Sequence, residues 1–310
     1  MAGRDGGVTI RLIAKVDEGL KSGVYEAAKN TFTLTDQQLN ALQNRGLYAN
    51  IHTTYVVSGE IRGQVTGVAQ AVLRAHLSGA NEVPAVTTGA EGTVLAEWYT
   101  LDSMLIVHGT YNGLESNLAT AVAGGAHIHN GVAGRNGGIV FRLAAVNNPD
   151  PSRRKGSFAV KGNTVKGTAA QLGNLMGRGN YVNIHSLNNT GGELRGQLLP
   201  LSQAVFTGYL SSIFEVPAAS SMALGAVKAE LMGNRLTVSG SYDNLEGDLA
   251  VNVAGGAHIH LGMAGQTGGI QFPLVSELEE DNRGGFFRPA GNSFQLDSAQ
   301  LANLKNRSLY

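Results

Sequence analysis

The stretch AGGAHIHNGVAGRNGGIVFRL, Ala123 to Leu143, returns as AGGAHIHLGMAGQTGGIQFPL, Ala254 to Leu274. The chain opens on the second half of the same phrase, MAGRDGGVTIRL from Met1 to Leu12. Ala2, Ala133 and Ala264 stand 131 residues apart each time. Self-similarity at a fixed period is the signature of a repeat architecture, so one unit is what has to be explained. Two further phrases recur around it. GLYANIHTTYVVSGEIRGQV (Gly46 to Val65) returns as GNYVNIHSLNNTGGELRGQL (Gly179 to Leu198), and LSGANEVPAV (Leu77 to Val86) as LSSIFEVPAA (Leu210 to Ala219).

These phrases divide the chain into a partial unit over 1–68 carrying the C-terminal half, a complete unit over 69–201, and a unit over 202–310 that lacks its last strands. One reading is a window cut from a longer array. The rival is that the end half-units complement one another between neighbouring subunits by strand donation. The overlap in content between the two ends favours the window. No Pro/Ser/Gly tether separates the units: VTGVAQAVLRAHL and LLPLSQAVFTGYL alternate like packed strands, which predicts a stiff array.

Within the middle unit, Thr93–Tyr99, Leu105–Tyr111, Gly138–Leu143, Gly156–Val160 and Tyr181–His185 are short alternating runs, separated by glycine- and asparagine-rich turns. Period-two alternation at this spacing predicts an all-β fold of tandem antiparallel sandwiches or barrels. One helix interrupts each unit. Thr35, Thr168 and Asp297 are good N-caps, each followed by a leucine pair at i,i+3: Leu39/Leu42, Leu172/Leu175 and Leu301/Leu304. The helix should close the sandwich with its leucines in the core.

Composition narrows the function. Of 310 residues, 23 are Lys or Arg and 23 Asp or Glu, so the electrostatic footprint of nucleic-acid binding is missing. No apolar run reaches the roughly 18 residues of a membrane-spanning helix. Cysteine is absent, which excludes disulfides, thiolate metal sites and cysteine nucleophiles. The 43 glycines fit many tight turns.

Histidines are the residues with chemistry to offer. His127-Ile-His129 and His258-Ile-His260 each place two imidazoles on one strand face and the isoleucine in the core. His185 and His52 end the strands YVNIH and YANIH. If those strands neighbour one another, His127, His129 and His185 converge on a patch suited to copper or zinc. His52, His258 and His260 are candidate ligands on the same grounds, in sets that need residues from elsewhere to be complete. The alternative is that the pairs hold loops or line an interface. Glu193 is the nearest acidic residue that could orient a ligand. His76 and His108 are replaced by Tyr209 and Ser239 in the sister unit, so they read as packing or surface residues.

Other motifs point to structure. Glu60 and Arg62, like Glu193 and Arg195, sit two apart on a strand and could fix a loop or the histidine strand; a Glu beside an Arg stays ionised and is a poor general acid. Glu82-Val-Pro84 and Glu215-Val-Pro217 fit an edge strand. The glycine-rich Gly131 to Gly138 leads into a strand rather than a helix, so it is no phosphate cradle. No nucleophile elbow occurs.

Taken together, LSGANEVPAV, GAHIHNGVAGRNGG and YVNIHSLNNTGGELRGQL resemble the chordin-type (CHRD) module, and the likeness runs in tandem along the whole chain. The resemblance implies a secreted or cell-surface setting and a sandwich similar to that of copper,zinc superoxide dismutase. The third unit departs from the pattern at LSSIFEVP. The expected function is a non-enzymatic extracellular repeat protein, a structural subunit of a surface layer, matrix or filament that associates with neighbouring repeats of its own kind. The alternative is a copper- or zinc-binding protein with weak redox activity. A growth-factor or glycan ligand stays open.

Overall fold

The computed structural model describes residues 5–67, 69, 71–99, 103–146 and 152–310. Met1 and Ala2, which begin the repeated phrase, lie outside them. The first unit contains β1 (Lys15–Val16), β2 (Gly23–Val24), α1 (Asp36–Gln43), β3 (Tyr48–Ile51) and β4 (Ile61–Gln64). β3 and β4 pair as a hairpin, yet no described residue from 5 to 67 is buried.

The middle unit holds β5 (Ala71–Ser78), β6 (Glu91–Tyr99), β7 (Met104–Asn112), β8 (Ala126–Asn130), β9 (Ile139–Arg142), β10 (Ala145–Val146), β11 (Gly156–Phe158) and β12 (Thr164–Lys166). α2 (Ala169–Met176), β13 (Asn180–Ile184), β14 (Leu194–Gln197) and β15 (Leu199–Pro200) complete it. The strands form one antiparallel sheet in the order β10-β11-β7-β6-β5-β14-β13-β8-β9, with β12 on β7 and β15 on β5. The all-β antiparallel expectation holds, realised as a single sheet curled into a half-barrel. Its core contains Leu73, Val94, Trp98, Val107, Ile128, Val182 and Leu194, all at most 2% exposed.

The third unit repeats the plan with β16 (Ala204–Ser211), β17 (Leu224–Met232), β18 (Arg235–Asp243), β19 (His258–His260), β20 (Ile270–Pro273), β21 (Ser276–Leu278), β22 (Gly285–Phe287), β23 (Ser293–Gln295) and α3 (Ser298–Lys305). Its smaller core is built on Leu236, Val238, Phe272, Phe287 and Leu304.

The three helices start where the sequence places them. Thr35, Thr168 and Asp297 each accept from the backbone N–H three residues on, and Gln38, Gln171 and Gln300 close reciprocal capping boxes. Leu175 and Leu304 are buried and Leu172 and Leu301 pack against the cores. Leu39 is 44% exposed, because the first unit has no counterpart of β5–β7 among the described residues to cover it.

After each helix an arginine takes a left-handed backbone: Arg45 (φ 55°), Arg178 (φ 60°) and Arg307 (φ 58°). Two of the three cross into the following unit. Arg45 Nε lies 2.9 Å from Glu97 on β6, and Arg178 Nε 2.9 Å from Glu230 on β17. Glu97 is fully buried and also takes hydrogen bonds from Tyr99 and His108. Burial pushes its carboxyl up, but the bonds from His108, Arg45 and Tyr99 outweigh that and hold it at about 2. Arg135 extends the second junction, reaching Asp243 and Glu279. At Gly134 (φ 85°) a Cβ would stand 3.0 Å from the Ala226 nitrogen, so only glycine allows the units this close.

Candidate metal centre

β8 and β13 are neighbours in the sheet, with Tyr181 opposite His129 and Asn183 opposite His127. Alternation then does the rest. Ile128, Val182 and Ile184 go into the core, and His127, His129 and His185 gather on the other side. They are not left on an open sheet surface: the three are 0, 9 and 4% exposed.

Each imidazole is pinned through one nitrogen by a backbone carbonyl at 2.9 Å. His127 uses Nε2 on Ala123, His129 Nδ1 on Gly137, and His185 Nδ1 on Thr190. A carbonyl only accepts, so those nitrogens carry the protons and the opposite ones carry lone pairs. The remaining nitrogens face one another. His127 Nδ1 lies 3.3 Å from His185 Nε2, and His129 Nε2 is buried with no partner. One ligand atom from each of the three lies within 4.8 Å of the others, the one such group of histidines and acids among the described residues. Two nitrogens about 2.0–2.1 Å from one tetrahedral ion stand about 3.3–3.4 Å apart, so the His127–His185 spacing suits a shared ion.

Burial lowers all three imidazoles from the ordinary 6.5, His185 to about 4, which favours their neutral forms. Neutral imidazoles are what a transition metal requires. The orienting partners are carbonyls, and the expectation for Glu193 is corrected. Its Oε1 accepts from Thr88 Oγ1 and the Glu115 N–H instead, so that carboxylate is engaged with two other loops.

Two residues missed as site members hold the cluster from behind. The Tyr181 ring stacks on His129, centroids 5.0 Å apart at 11°, and Arg195 lies over its other side at 3.6 Å. Arg195 also donates to Asn136 Oδ1 and to the carbonyls of Val132 and Arg135, which ties the glycine-rich turn to the sheet. Glu193 and Arg195 therefore fix separate loops. Their recurrence at Tyr48, Tyr310 and Arg62 was the available signal.

The other candidate ligands sit in partial copies. His258 Nδ1 is buried without a partner, His260 Nδ1 is pinned on Gly268, and His260 stacks on Tyr310 at 5.1 Å. His52 Nδ1 is pinned on Val57, as His185 is on Thr190. Neither part belongs to a group of three among the described residues. His108 is fully buried against Glu97 at the first junction, in keeping with a packing role.

A family model described as "CHRD domain" matches residues 1–65, 73–198 and 206–310. A comparison with curated proteins gives no match.

Proposed function

Given that the chain belongs to the CHRD domain family over nearly its whole length, we propose that it is an extracellular, non-enzymatic repeat protein whose middle unit holds one copper or zinc ion. His127 Nδ1, His129 Nε2 and His185 Nε2 are the ligands. The observation that carries this reading is the tautomer pattern: three carbonyls fix three protons, and three buried lone pairs are left turned toward one another. Without a cation or a shared proton, the 3.3 Å approach of two unprotonated nitrogens is repulsive.

Imidazole sets suit copper and zinc, and copper(II) binds more tightly at a given nitrogen site. When bound, copper would supply one-electron chemistry and zinc a fixed cross-link. The protein's own residues keep the rings neutral, orient them through the carbonyls, and exclude bulk water. Elemental analysis after purification without chelator tests the reading. About one copper or zinc per chain that is lost in His127→Ala supports it; no metal after soaking removes it.

The array reading is favoured separately by the junctions. Arg45–Glu97 and Arg178–Glu230 join successive units by the same contact, which suits a structural element of a layer, matrix or filament. Electron microscopy over a range of concentrations tests this part, and dispersed chains throughout would overturn it.

A further inference from the structure

Between the middle and third units lies a cavity of about 170 Å³. A water occupies ~10–15 Å³ on that measure, so the space takes a molecule of several heavy atoms. Val83, Leu210 and Leu224 give it apolar walls; Arg195, Lys228 and Glu82 bring the charge.

Its two cations are deeply buried, Arg195 at 1% and Lys228 at 8% exposure. Neither belongs to any ion pair among the described residues. Lys228 Nζ donates to Asn81 Oδ1 and Thr207 Oγ1, both at 2.8 Å, leaving one of its three hydrogens for a further acceptor. Burial, with the nearby Arg195 charge, pushes Lys228 down to about 8. A buried cation without a counter-charge is costly, and two facing one cavity more so.

The fold does not ask for this charge. In the middle unit the position of Lys228 is held by Leu95, and in the third unit the position of Asn81 is held by Phe214. The one carboxyl on the wall forms no ion pair with either cation: burial pushes Glu82 up to about 7 against the pull of Arg195 and a hydrogen bond from Asn183, and its Oε1 has no partner. In its protonated form that carboxyl donates a hydrogen bond to an anion rather than repelling it.

We propose that this cavity binds a small organic anion, a monocarboxylate with a short apolar body, between Arg195 of the middle unit and Lys228 of the third. The carboxylate takes the free Lys228 hydrogen, Glu82 shares its proton with it, and the apolar body lies against Val83, Leu210 and Leu224. The site shares Arg195 with the support of the histidine cluster, but none of the three imidazoles lines it.

Calorimetric titration of the whole chain with benzoate, its neutral analogue benzamide, and inorganic phosphate tests this. The expected result is one benzoate per chain and no benzamide. Lys228→Leu, which copies the sister unit, should weaken benzoate by roughly 10- to 150-fold, the worth of one hydrogen bond to a charged group. In the unsubstituted protein, benzoate should also raise the Lys228 titration midpoint followed by NMR. Absence of benzoate binding, equal binding of benzamide, preference for phosphate, unchanged affinity in Lys228→Leu, or an unmoved midpoint would each overturn the proposal.

Discussion

His127 Nδ1 and His185 Nε2 face each other across 3.3 Å while the far nitrogen of each ring already donates to a backbone carbonyl. Each ring is thus fixed in one tautomer, and what lies between them has to be electron-poor.

Replacing His127 or His185 by Ala should remove the metal and its stabilisation of the fold. A site present at 100 times its dissociation constant adds about 2.7 kcal/mol to stability. Chemical denaturation with and without chelator should show that gain in the parent protein and not in the variants. His258→Ala should leave the middle-unit ion in place.

Acid should weaken the metal-free fold through the same rings. Their folded values lie below the unfolded 6.5, His185 at about 4, so the unfolded chain takes up protons first as pH falls. The full contribution is present above about 6.5 and is lost progressively toward 4. For His185 alone it is about 3 kcal/mol. Urea titrations across that window should show the slope, and His185→Asn should flatten it.

Tyr181 is stacked between His129 and Arg195 and so holds the imidazole in place. Tyr181→Leu should cost about 10- to 100-fold in metal affinity, the usual price of losing an orienting partner, while Tyr181→Phe keeps the stack and most of the affinity. Competition against a chelator of known strength reads both.

The two junctions should differ in their response to loss of the arginine. Arg178→Met leaves Glu230 nearly buried without a cation, at a cost of about 3–5 kcal/mol. Arg45→Met should cost less, because His108 and Tyr99 still hold Glu97. Equal losses in denaturant unfolding would contradict this account of the network.

Much of the fold was legible because the repeat exposes its own grammar. The alternation around Ile128 and Val182, the capping residues Thr168 and Asp297, and the leucines at i,i+3 all act through local rules. The convergence of His127, His129 and His185 needed only that β8 and β13 be adjacent. What stayed hidden depends on contacts far apart in sequence. The carbonyls of Ala123, Gly137 and Thr190 carry no side-chain signal, and Arg178 meets Glu230 across 52 residues. The meeting of Lys228 with Asn81, and the cavity beside it, arise only where two units close on each other, which no periodicity within one unit can reveal.

The junction between the middle and third units leaves little slack. β15 is paired on β5, β16 begins at Ala204, and residues 201–203 span the gap, a reach of about 10 Å at full extension. A pull across this junction therefore cannot be taken up by straightening a tether. Tension passes at once into the β5 edge and the Arg178–Glu230 contact, so that a row of such units yields by opening one folded unit at a time, as a chain of breakable links rather than as a spring.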